Sequence, residues 1–268
     1  MDNDKPKKKK SKVLLIIIIM ICAGVLAFSA YQLISMWLKY RKGQEEYDKI
    51  REYTYEKPDT SATPTPEVTP VPNLYPDAPI EIDTASLLAI NPDFIGWLYF
   101  PAEDISYPVT HTTDNEYYLH TGFEGDYVFA GCLFTDCLNN PGFDDPHTII
   151  YGHNMNDTSM FGRLKLLQED GSYNDEPYFW IIGPEYTYTY QIAAIYSTYD
   201  TSDVYKIFSA PSQEFASWVS DCLASTEVPF DLPATNKDSK IVTLSTCSSG
   251  SGSGRLVVQG LLVEKEAN

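Results

Sequence analysis

The chain has 268 residues, with 19 Lys and Arg against 37 Asp and Glu and a formal net charge of −18. Twelve of the basic residues fall within positions 1–57, so the remainder carries seven basic against thirty acidic side chains, a formal −23. A surface of that sign repels nucleic acid, which removes the nucleic-acid-binding classes from consideration. Five cysteines in a chain this long do not make a disulfide framework, and no second Cys or His pair completes a zinc site. No metal or other cofactor is expected.

In chain order, residues 1–12 are a basic tail containing Lys5, Lys7 to Lys10 and Lys12. The next stretch, 13–38, holds no charged residue and is filled with Ile, Leu, Val and Phe. At about 1.5 Å per residue it crosses a ~30 Å hydrocarbon core as one helix with some tilt. It is too long for a cleavable signal peptide, and no clear small-residue cleavage site closes it. The lysines ahead of the span place the N-terminus in the cytoplasm and the remainder outside, a bias blunted by Lys39, Arg41 and Lys42. Residues 39–79 read as a juxtamembrane segment and a spacer, because seven prolines between Pro58 and Pro79 favour a semi-stiff, extended chain. The globular domain is expected over 80–268.

Asp83 or Thr84 caps a short helix that stops before Asn91-Pro92. Strands are expected at 96–100, 105–109, 128–134 and 147–151, followed by a hairpin of 178–182 and 186–196 turning at Gly183-Pro184. Apolar residues at helical spacing (Phe215, Trp218, Val219, Cys222) mark one helix over 212–224. Two last strands cover 240–246 and 255–263. Many short strands at close spacing make the fold mainly β with a few helices, a closed barrel or a sandwich.

The final pair of strands carries the chemistry. Cys247 ends the run Ile241-Val242-Thr243-Leu244-Ser245-Thr246, and Arg255 opens Leu256-Val257-Val258 eight positions later. A third run, Thr148-Ile149-Ile150-Tyr151-Gly152, ends on His153. Thiol, imidazole and guanidinium at strand ends suit nucleophilic acyl transfer. The imidazole takes the thiol proton or stabilises the thiolate, then protonates the leaving amine. Arginine never loses its proton, so Arg255 orients carbonyls and stabilises the oxyanion. A buried strand-end cysteine is more often a packed small residue, but the polar Ser245 and Thr246, the Ser/Gly loop and the nearby arginine reverse that weighting. His111, His120 and His147 compete with His153, and His147 begins its strand rather than ending it.

Gly152-His153-Asn154-Met155, Met160-Phe161-Gly162, Thr243-Leu244-Ser245-Thr246-Cys247 and Arg255-Leu256-Val257-Val258 resemble, in this order, the sortases, and among them class B. Ile95-Gly96-Trp97-Leu98, Tyr107-Pro108-Val109 and Asp114-Asn115-Glu116-Tyr117-Tyr118-Leu119 extend the resemblance over 91–263. Sortases are membrane-anchored cysteine transpeptidases of Gram-positive bacteria. The resemblance therefore implies a closed eight-stranded barrel preceded by a single transmembrane helix, with class B adding an N-terminal helix and a helix before the Cys strand. It implies catalytic roles for His153, Cys247 and Arg255, and a substrate groove lined by Asn115, Leu119, Thr201, Tyr205 and Ser245. Implied partners are surface proteins bearing a sorting signal cleaved after Thr, and an amine acceptor on peptidoglycan precursor or on a pilin. One departure is visible: class B members often carry an acid shortly after the cysteine, and Ser248-Ser249 has none. A cysteine hydrolase of cell-wall peptides and a non-catalytic wall-associated module are the alternatives.

Overall fold

The computed structural model describes residues 6–57, 74–167, 171, 173, 177–226, 228, 230–247 and 252–268, and at 6–11 and 247 the backbone alone. The described chain divides into two compact units, one ending at Lys42 and one running from Gly43 to Asn268.

The first unit is the apolar part of α1 (Pro6–Ile50), a helix long and apolar enough to cross a membrane. The second unit begins with the last turns of the same helix, where Tyr47 and Ile50 are buried. Tyr47 Oη donates to the carbonyl of Gly131, and its ring packs edge-on against Tyr107 at 5.2 Å. The folded unit therefore starts at Gly43 and not near residue 80, because a charge-rich segment hides two apolar anchors that only packing reveals.

The short strands β1 (Thr54–Glu56) and β2 (Ile80–Ile82) pair antiparallel, and Lys57 N donates to Pro79 O at 2.9 Å. The two ends of the proline-rich stretch are thus held together, and it adds no length to the path from α1 to the barrel. The semi-stiff conformation expected of its central residues, 58–73, lies outside the described residues.

Asp83 caps α2 (Thr84–Ile90) by accepting from Ser86 N, as the sequence indicates. Eight strands then close a barrel: β3 (Phe94–Phe100), β4 (Ile105–Thr110), β5 (Leu133–Thr135), β6 (His147–His153), β7 (Tyr178–Ile182), β8 (Tyr186–Tyr199), β9 (Ile241–Cys247) and β10 (Gly254–Ala267). Their order around the barrel is β10-β8-β7-β3-β4-β5-β6-β9. The pairs β4–β5 and β6–β9 are parallel and the other pairs antiparallel. Closure leaves no strand edge unpaired. Two helices lie outside the sequence of strands: the single turn α3 (Tyr117–His120) and α4 (Gln213–Ala224). Ser212 caps α4 by accepting from Phe215 N, and Phe215, Trp218, Val219 and Cys222 bury one face among residues of β8, β9 and β10.

The strand expected over 128–134 is shorter, only Leu133–Thr135. Gly131 N closes a turn onto Val128 O, and Cys132 N bonds Tyr118 O, so the earlier residues serve a turn against α3. Gly131 has φ +60°, and an added Cβ would stand 2.2 Å from Tyr118 O. Gly131→Ala is expected to destabilise the domain by about 2 kcal/mol or more, from the left-handed backbone and the clash together. A shift of the urea midpoint at unchanged slope measures it, and an unshifted midpoint contradicts it.

Candidate active site

Parallel pairing of β6 with β9 brings their C-terminal ends to one rim. The register runs Tyr151↔Ser245, Gly152↔Thr246 and His153↔Cys247, so the backbones of the candidate base and nucleophile are direct partners. β10 pairs antiparallel with β9 through Val257↔Ser245, and Leu256 N donates to Thr246 Oγ1 at 3.1 Å. Continuing that register by two residues sets Arg255 level with Cys247. Two consecutive strands and a third some ninety residues earlier thus bring the backbones of the candidate residues to one edge. The buried Ile149, Ile150, Val242, Leu244 and Val258 supply the apolar packing that fixes this pairing.

His153 is almost fully buried, and its Nε2 lies 2.7 Å from the carbonyl of Leu119. A carbonyl only accepts, so Nε2 carries the proton and Nδ1 is the basic nitrogen of the neutral ring. Burial pushes the His153 pKa down, the Leu119 carbonyl partly offsets this, and His120 adds to the depression. A neutral imidazole is the form a general base requires.

Arg255 is held by three acceptors. Nη1 donates to Gly252 O and Gly254 O at 3.2 and 3.0 Å, and Nη2 pairs with Asp200 Oδ2 at 3.3 Å. Asp200 sits just beyond β8, and its N donates to Ser253 O at 3.0 Å. The loop after β8 thus supplies a carboxylate to the arginine.

Four of the five expected groove residues gather around this rim. Tyr205 Oη and Ser245 Oγ are 2.8 Å apart, and the Tyr205 ring stacks on Tyr151 at 6.3 Å. Tyr151 Oη and Asn115 Nδ2 both donate to Asp136 Oδ2, at 2.9 and 3.0 Å. Asn115 Oδ1 also accepts from Cys137 N, so this side chain ties the segment after β5 to the one before α3. Leu119 contributes its carbonyl to His153. Thr201 is exposed on the turn after β8, beside Asp200. Asp136 and Tyr151 are the members sequence reasoning passed over. Tyr151, two residues before the candidate base on the same strand face, carried the only signal.

His147 is excluded as the base. It is wholly buried, with Nδ1 donating to Lys206 O and Nε2 facing Thr243 Oγ1, both at 2.8 Å. Burial lowers its pKa to about 4. An unfolded histidine binds a proton below its ordinary pKa of about 6.5, and the fold refuses that proton. This group's contribution to stability is complete above about pH 6.5 and is lost as pH falls toward 4, by at most about 1.4 kcal/mol per pH unit. Urea midpoints between pH 7 and 4 should fall less steeply for His147→Gln than for the parent. Equal slopes would contradict this assignment.

The remaining thiols have no such setting. Cys132, Cys137 and Cys222 are free, Cys132 and Cys222 are buried, and burial raises the Cys132 pKa to about 12. Among the described residues no cluster of His, Cys, Asp and Glu is arranged to hold a metal ion.

Comparison with known proteins identifies the family and the fold. The sortase domain family matches residues 98–263. Sortase B of Listeria monocytogenes is 34% identical over 183 residues, covering 67% of this chain and 73% of that protein. The structure of sortase B from B. anthracis in complex with AAEK1 superposes with a TM-score of 0.67 at 25% identity, covering 85% of this chain and 99% of that one. A Streptococcus pyogenes class B sortase involved in pilus biogenesis superposes with a TM-score of 0.61 at 26% identity, covering 67% and 97%.

Proposed function

The chain belongs to the sortase family, class B, and is a sortase-type cysteine transpeptidase; from that premise we propose how its own residues divide the reaction and what it acts on. The reading rests on the His153↔Cys247 backbone register at one rim, with Arg255 two residues beyond the last β9–β10 pair, Val257↔Ser245.

Cys247 attacks the carbonyl that follows a threonine in the sorting signal of a surface protein. His153 Nδ1 takes the thiol proton while Leu119 O keeps the ring in the Nε2–H form. The oxyanion is met by Arg255 and by backbone N–H groups near Cys247. The C–N bond breaks, His153 gives its proton to the leaving amine, and a thioester remains on Cys247. An amine on peptidoglycan precursor or on a pilin then attacks the thioester, loses a proton to His153, and releases the thiol. The Asn115–Asp136–Tyr151–Tyr205–Ser245 wall holds the peptide, with Leu119 and Thr201 at its margins. The apolar part of α1 anchors the enzyme in the cell membrane with its N-terminus cytoplasmic and the barrel outside.

The test incubates the enzyme with quenched peptides that carry Thr followed by a varied residue, with and without oligoglycine. The expected result is a Cys247 thioester by mass spectrometry and an amide product that grows with amine concentration. Hydrolysis alone, whatever the amine, would favour a hydrolase of wall peptides. No thioester on any peptide would favour a non-catalytic module.

A further inference from the structure

His153 is served twice by one short helix. The last turn of α3 gives it the Leu119 carbonyl, and the next residue, His120, lays its ring parallel to the His153 ring, with centroids 5.4 Å apart and planes within 16°. His120 is exposed, yet it is itself held. Phe129 and Tyr127 flank its ring at 6.0 and 5.9 Å, and His120 Nδ1 lies 3.2 Å from Phe129 O. Val128 N donates to His120 O at 3.0 Å, and Thr121 bridges to Tyr127, so the segment carrying those two rings is pinned to α3.

We infer that His120 is a positioning residue for the candidate base: stacked on the His153 ring, it braces that ring in the plane that the Leu119 bond selects. The inference rests on the catalytic role given to His153. The groups that contact the pair are the Leu119 carbonyl from α3 and Tyr127 and Phe129 from the following segment, and the backbone of Cys247 on β9 is the register partner of His153. Burial, the Leu119 carbonyl and His120 are the influences that shift His153, with no carboxylate among them. Burial and His120 both oppose a proton on the inner ring, which keeps His153 in the neutral form competent as a base.

The experiment uses the full chain in detergent with selectively 13C/15N-labelled histidine, since four histidines give a tractable spectrum. His153→Gln assigns the inner ring. His120→Phe keeps a ring in the stack and removes the second imidazole, and His120→Gln serves if the first variant folds poorly. In both, the His153 midpoint should rise, and the limb of the rate profile that reports His153 should move up with it. The 15N shifts of the parent should show the Nε2–H tautomer. An unmoved His153 midpoint in both variants overturns the inference. Iodoacetamide labelling of Cys247 in the same samples separates the two readings. A reactive Cys247 with an unmoved midpoint sinks only the role of His120, whereas an inert Cys247 with a shifted midpoint supports the brace and removes the acyl-transfer mechanism.

Discussion

Cys247→Ala and His153→Ala, singly and combined, are expected to reduce acyl-enzyme formation to a common floor about 10⁴-fold or more below the parent. The reason is that nucleophile and base act as a unit. Without the thiol there is nothing to deprotonate, and without the imidazole the thiol stays largely protonated at neutral pH. Losses in such a unit do not multiply, so the double variant should match the worse single one. Arg255→Ala should retain thioester formation but at about 10²- to 10³-fold lower kcat, the size expected for one lost oxyanion donor. Steady-state cleavage of a Thr-containing quenched peptide, with thioester trapping by mass spectrometry, reads all four variants. Near-parent turnover by His153→Ala, or losses that multiply in the double variant, would contradict the assignment.

A chain truncated to begin at Ile80 is expected to lack a stable fold, whereas one beginning at Gly43 should melt cooperatively. The segment between them buries Tyr47 and Ile50 almost completely. Each such side chain is worth roughly 1.5–3 kcal/mol. Its removal also strands the Gly131 carbonyl that Tyr47 bonds, and the Glu124 N–H that Glu46 accepts at 3.0 Å. Arg51, which donates to Ser106 O at 3.1 Å and covers the Tyr107 ring at 4.7 Å, is lost with them. Together these losses come to about 5 kcal/mol or more, comparable to the whole stability of an ordinary domain. Thermal melts followed by near-UV circular dichroism distinguish the two chains. A cooperative transition for the Ile80 chain at the temperature of the longer one would show that the helix end contributes nothing.

The same segment shows where sequence reading runs out. Gly43 to Lys57 is dense in charge, and its two large buried apolar side chains, Tyr47 and Ile50, are too few to raise a helical periodicity above the polar background. The proline-rich composition was legible, but its geometry was not: pairing of β1 with β2 closes the stretch into an excursion. The strand expected across 128–132 failed for a related reason. Its continuous apolar run suits a buried strand, yet the positive φ of Gly131 and the bond from Cys132 N to Tyr118 O turn it toward α3.

The sequence by itself determined the chemistry and most of the elements. Short apolar, β-branched runs marked most of the strands, Asp83 or Thr84 and Ser212 marked helix starts, and Cys247, His153 and Arg255 stood out as candidates by ending or opening such runs. These are local properties of neighbouring residues, and they survive being read along a line. Only the tertiary structure decided which strands are neighbours, and so it alone put His153 opposite Cys247, Asp200 on Arg255, Asp136 between Asn115 and Tyr151, and His120 against His153. Those contacts join residues from separate turns and strands, and barrel closure, which pairs β6 with β9 across some ninety residues of chain, is a collective outcome of burial that no short window encodes.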